Sequence, residues 1–63
     1  MKWTIRALRV NKGLRQTDLA LALNVDRKTI GAWESGSAMP RWDKIDAICG
    51  FFGVTYDDIQ WKV

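Results

Sequence analysis

Gln16 to Gly36, QTDLALALNVDRKTIGAWESG, decides how this chain folds. Its first half predicts a helix over Gln16–Leu23 with Leu19, Ala20 and Leu23 turned inward. Ala20 is small where a second helix must cross closely. The break that follows, Leu23-Asn24-Val25-Asp26, has the chemistry of a tight turn. Asn24 tolerates a positive φ, Val25 is a single apolar plug, and Asp26 suits the N-cap of a second helix. That helix is predicted from Arg27 to Ser35. At 100° per residue, Ile30 and Trp33 point one way, while Arg27, Lys28, Gly31, Ala32 and Ser35 share the other side. One face is fit for burial. The other is fit to lie against something negatively charged, and the pair of helices predicts a helix-turn-helix set against duplex DNA.

Working outward, a helix is expected from Thr4 to Lys12, ended by Gly13. Ile5 and Leu8 make its inner stripe, with Arg9 and Lys12 on the same side. Trp3, Ala7 and Val10 form a second apolar stripe, to be covered by the C-terminal segment or by a partner. After Gly36 a loop, Ser37-Ala38-Met39-Pro40, leads to a fourth helix over Arg41–Phe52, because Pro40 bars the residue before it from helical geometry. Trp42, Ile45, Ile48, Cys49 and Phe52 are expected on its inner face, with Trp33 and Trp42 in the core. Gly53 ends it. Thr55-Tyr56-Asp57-Asp58 resembles a capping box and predicts a short fifth helix over Tyr56–Gln60. Trp3, Phe51, Tyr56 and Trp61 either complete a small core or form a self-association patch. The expected architecture is all-α, five short helices in a single domain spanning 1–63.

The bulk properties agree. With 63 residues, 48% of them hydrophobic, one Pro and five Gly, a small helical domain with a thin stability margin is expected. Apolar runs are too short to span a bilayer and the N-terminus lacks a signal-peptide core, which predicts a cytoplasmic protein with no membrane partner. Cys49 has no second cysteine to bond, and the chain has no His. A metal site is therefore not expected, and Cys49 reads as a small buried hydrophobe. No catalytic constellation is present, so neither an enzyme nor a cofactor nor a small-molecule ligand is expected. The net charge of +3 is unevenly spread. Lys2, Arg6, Arg9, Lys12, Arg15, Arg27 and Lys28 outweigh Asp18 and Asp26 in the first half, whereas the second half is net acidic. A polyanion is the partner this asymmetry suits.

IRALR at 5–9, KGLRQTDLA at 12–20, LNVDRKTIGAWESG at 23–36, Pro40 and ICGFFGVTYDDI at 48–59 stand in an order that resembles the lambdoid-phage Cro and repressor helix-turn-helix family, the Xre-type regulators. The resemblance covers nearly the whole chain. It implies a lambda-repressor-like domain of five helices whose third helix enters the major groove. One such module grips operator DNA modestly, so a homodimer on two half-sites is expected, in solution or only on DNA. Matched by position, Arg27, Lys28 and Ala32 would touch base edges, Gln16 would contact phosphate, and Arg9 with Glu34 would link the first helix to the end of the third. Arg15, Thr17, Ser37 and Arg41 are further candidates for the phosphate backbone.

The residue chemistry fits those roles. An Arg fork can bond guanine O6 and N7 together, Ala32 offers apolar contact to a thymine methyl, and Gln16 sits in a helix first turn that favours an anion. The chain also departs from the family pattern. Gly31 lies inside the recognition helix, Arg15 replaces the usual Ser or Thr cap, and Ser37-Ala38-Met39 lacks the basic residues relatives often carry. Fewer phosphate contacts and a shallow salt dependence are expected. Two other roles suit the same residues: the DNA-binding part of an antitoxin or recombination accessory factor, and an antirepressor that binds a protein through Trp3, Ala7 and Val10.

Overall fold

The computed structural model describes residues 2–62. Thr4 opens helix α1, Ile5–Asn11, by accepting a hydrogen bond from the Ala7 amide at 3.0 Å on its hydroxyl. Helix α2 spans Gln16–Leu23 and helix α3 spans Arg27–Ser35, both as the sequence predicts. Arg15 at the α2 N-cap has no oxygen to offer the helix amides. Asp18 instead reaches back and accepts the Arg15 backbone N–H at 2.8 Å.

Between α2 and α3 the chain turns on Asn24, a non-glycine residue with positive φ (57°), and the Val25 amide closes onto the Ala20 carbonyl at 2.9 Å. Asp26 occupies the N-cap position of α3 with extended backbone, but its side chain makes no capping bond. Gly36, φ 82°, ends α3, and the Ser37 amide returns to the Ala32 carbonyl at 2.9 Å.

Helix α4 begins at Trp42 rather than Arg41 and runs to Phe52. It buries Ile45 and Ile48. Trp42 does not follow them: it is 72% exposed, against the expectation that it would be core. At the first position of α4 its ring stacks outward on Tyr56, with centroids 5.8 Å apart. Tyr56 in turn stacks on Trp61 at 5.4 Å. Trp61 takes the interior place, only 9% exposed, with its indole N–H donated to the Tyr56 carbonyl at 3.1 Å. This settles the open choice for Trp61 in favour of the core.

The fifth element is also different from the expectation. It is a single 3₁₀ turn, Tyr56–Asp58, and the chain is extended at Ile59. Ile59 and Trp61 are buried while Gln60 and Lys62 are exposed, a period of two that only an extended strand provides. Main-chain pairing supports it. The Trp3 amide donates to the Asp58 carbonyl at 2.9 Å, and the Gln60 amide donates to the Trp3 carbonyl at 2.7 Å, a parallel bridge between the two ends. Four α-helices and one 3₁₀ turn therefore stand among the described residues. The capping role of this turn falls to Asp58 alone. Its carboxylate accepts both the amide and the hydroxyl of Thr55 at 2.9 Å, and these bonds hold its pKa below the usual carboxylate range.

The core joins Ile5 and Leu8 of α1, Leu19, Ala20 and Leu23 of α2, Ile30 and Trp33 of α3, Ile45 and Ile48 of α4, and Ile59 and Trp61. Val25, Cys49, Phe51, Phe52 and Val54 pack against it from the rim. Burial raises the Cys49 thiol pKa, helped by Asp46 and Asp58, which keeps it a neutral hydrophobe. The outer stripe of α1 stays open: the bridge pins the Trp3 backbone, but the Trp3 and Val10 side chains remain 44% and 58% exposed. No described helix is long and apolar enough to cross a membrane.

Candidate nucleic-acid interface

Helix α3 packs chiefly against α2, so the turn between them determines which α3 face is left free. Ile30 and Trp33 are buried against the core. Arg27, Lys28 and Ser35 are exposed on the opposite side, with Gly31 and Ala32 half-buried between them. Two cations in the first turn of a helix oppose its dipole, and the Gly31 backbone costs about 1 kcal/mol relative to alanine. Neither serves the fold.

The structure joins Arg27 to Gln16. Arg27 Nη1 donates to Gln16 Oε1 at 3.0 Å, and Gln16 Nε2 donates to Glu34 Oε1 at 3.2 Å. Glu34 is itself held by Arg9, whose Nε reaches Oε2 at 2.6 Å and whose Nη2 reaches Oε1 at 3.1 Å. The remaining Arg9 nitrogen, Nη1, donates to the Leu14 carbonyl at 2.8 Å. Arg9 and Glu34 thus pair as the resemblance implies, with side chains only 11% and 6% exposed. The Glu34 hydrogen bond raises the Arg9 pKa further above its ordinary value. A fork-on-carboxylate pair is rigid, and it fixes the Gln16 amide so that its oxygen faces Arg27. The guanidinium on the free face is therefore oriented from the interior through three side chains.

The other candidates are distributed around this chain of bonds. Arg15 and Thr17 are exposed at the start of α2, Arg15 lying 3.6 Å from Asp18. Ser37 is exposed past the end of α3, its hydroxyl 2.9 Å from that of Ser35. Arg41 is not brought to Gln16. It borders an apolar depression with Met39, Pro40, Trp42, Ile45 and Tyr56. Two participants were not legible as such in the sequence. Lys44 of α4 donates to the Leu23 carbonyl at 2.8 Å, closing the end of α2 at the turn. Arg6, one turn before Arg9 on α1, borders the free face of α3 beside Gly31 and Ser35. The i, i+3 spacing of Arg6 and Arg9 was the available signal.

A family model described as helix-turn-helix, HTH_3, matches residues 5–59, and the chain belongs to that family, the Xre-type helix-turn-helix proteins. The family is DNA-binding and non-enzymatic. Among similar proteins, the HTH-type transcriptional activator BcrR of Enterococcus faecalis is 40% identical over 55 residues, 87% of this chain and 27% of that protein. The 26 kDa repressor protein of Escherichia phage HK022 is 42% identical over 41 residues, covering 65% of this chain and 17% of that one. The cryptic phage CTXphi transcriptional repressor RstR of Vibrio cholerae is 34% identical over 50 residues, covering 79% and 45%. The chain spans less than half the length of each of these relatives.

Proposed function

We propose that this chain is the DNA-reading domain of a phage or bacterial transcriptional regulator of Cro/repressor type, binding operator DNA as a homodimer with α3 in the major groove. The observation that carries this is the oriented Arg27 fork, tied through Gln16 to the Glu34–Arg9 pair on the one face of α3 the core leaves free. Arg27, Lys28 and Ala32 meet base edges, and Gln16, Arg15, Thr17 and Ser37 meet the phosphate backbone, while Arg41, which borders the Trp42 depression, goes to the dimer contact instead. One relative is named a transcriptional activator and two are named repressors, so the reading is of a regulator without a fixed sign.

The dimer contact we assign to the depression around Trp42, where Met39, Trp42 and Tyr56 are all exposed. Arg41 and Asp43 flank Trp42 with opposite charges. A two-fold axis through such a patch sets each Arg41 against the partner's Asp43, which makes the surface complementary to itself. Trp42→Ser should leave the thermal midpoint nearly unchanged, since little but the Tyr56 stack is lost, about 1 kcal/mol or less. Self-association in sedimentation velocity should nonetheless weaken clearly. A variant that still dimerises as wild type would remove this surface from the proposal.

Selection from random duplex DNA at two salt concentrations tests the function. A palindrome is expected whose half-sites lie about 34–36 Å apart. Recovery of no preferred sequence would overturn it. On the selected duplex, Arg27→Ala should lose about 1–3 kcal/mol of discrimination at one base pair of each half-site, measured by competition against single-base variants. An equal loss on every sequence would make Arg27 a phosphate contact.

A further inference from the structure

Gly31 is a glycine that the protein itself does not require. Its backbone is ordinary helix, lacking the positive φ found at Gly13, Gly36 and Gly53. A Cβ placed on it would meet only Gln16 Nε2, at 4.0 Å, which is ordinary van der Waals contact. An alanine would fit and would strengthen the helix. The missing side chain therefore leaves room for something outside the chain.

That room is a cleft of about 280 Å³ lined by Arg6, Arg9, Gln16, Gly31, Glu34 and Ser35. Its electrostatics are uneven. Arg9 and Glu34 neutralise each other, and Glu34 Oε1 also takes the Gln16 amide. Arg6 makes no ion pair among the described residues, so the cleft carries one uncompensated positive charge. Beside it stands the second N–H of Gln16 Nε2, while the Ser35 hydroxyl donates to the Ala32 carbonyl at 3.3 Å and lies 2.9 Å from the Ser37 hydroxyl. One net positive charge and an amide N–H, beside a helix position stripped to its backbone, suit an anion that must come close.

We infer that this cleft seats one backbone phosphate of the DNA strand beside α3, with Arg6 supplying the charge and Gly31 the close approach. The inference rests on the DNA-binding function proposed above. It adds a phosphate contact from α1, outside the helix-turn-helix, to an interface whose loop after Gly36 carries no basic side chain before Arg41. It also gives a reason for an interior helix glycine that packing leaves without one.

The test measures equilibrium binding by fluorescence anisotropy between 50 and 200 mM salt, on the selected duplex and on an unrelated one. Wild type, Arg6→Gln, Arg6→Lys and Gly31→Ala are compared, with a thermal melt of each. Arg6→Gln should melt as wild type, lose about threefold in affinity on both duplexes, and flatten the salt dependence by about 0.9 in log–log slope. Arg6→Lys should keep the slope. Gly31→Ala should melt a few degrees higher and yet bind at least threefold more weakly. An unchanged slope for Arg6→Gln, or Gly31→Ala that binds as well as wild type, overturns the inference while the DNA function stands. Wild type that binds neither duplex overturns both. Inorganic phosphate added to the protein alone should leave the Arg6 side-chain NMR signals in place, and saturable binding of the free ion would reassign the cleft and overturn the DNA contact.

Discussion

Glu34→Ala is expected to leave this chain only marginally stable at 25 °C. The substitution strands the Arg9 guanidinium, 11% exposed, without its carboxylate, and breaking a buried pair by removing one partner costs about 3–5 kcal/mol. Domains of this size have a total stability at the low end of about 5–15 kcal/mol, so the loss takes most of it. Circular dichroism against temperature and urea would show the collapse of the transition.

A companion variant separates charge from function. Arg9→Met with Glu34→Leu replaces the pair by apolar side chains of similar reach, and such replacements are often neutral or stabilising. The double variant should fold. It should still read DNA poorly, because Gln16 loses its acceptor and Arg27 its anchor. A Glu34→Ala chain that melts within about 1 kcal/mol of wild type would show that the pair is solvated and cheap. A double variant with unaltered base discrimination would mean that Arg27 needs no orientation from within.

Trp61→Ala should be nearly as damaging, with a loss of about 3–5 kcal/mol from burial and cavity formation. Trp61 lies in the extended segment after the 3₁₀ turn, where no helix holds it. Here it is tied twice. Its ring closes the core beneath Tyr56, and its indole N–H satisfies the Tyr56 carbonyl. The preceding residue is bonded through its amide to Trp3, so the same element secures both ends of the chain. Trp61→Phe keeps most of the burial and loses the hydrogen bond, which should cost about 1–2 kcal/mol. Urea unfolding of both variants, set beside Trp42→Ser, distinguishes an interior tryptophan from an exposed one. Equal midpoints for Trp61→Ala and Trp42→Ser would mean the two rings contribute alike.

The candidate interface was legible in parts for a physical reason. Arg27 and Gln16 could be named singly because each stands at the start of a helix with recognisable turn chemistry before it. Their contact with each other, and with Glu34 eighteen residues from Gln16, depends on how α2 crosses α3. Arg6 had no local mark beyond its distance from Arg9. Its neighbourhood with Gly31 exists only once α1 lies along α3.

By itself the sequence determined α2, α3 and the turn between them, residue for residue. Those limits are written in local chemistry: Asn24 in the left-handed region, Val25 as the plug, Gly36 to end the helix. The two tryptophans show where local chemistry stops. Trp42 shares a helical period with Ile45, yet it sits outside because the interior place is filled by Trp61, nineteen residues later. Thr55–Asp58 signals the start of a helix, but burying both Ile59 and Trp61 requires alternation along an extended chain, and the carbonyl of Trp3 is there to pair with it. Which side chain fills a shared space, and which of two backbone forms a short segment takes, were decided by contacts between the chain's two ends.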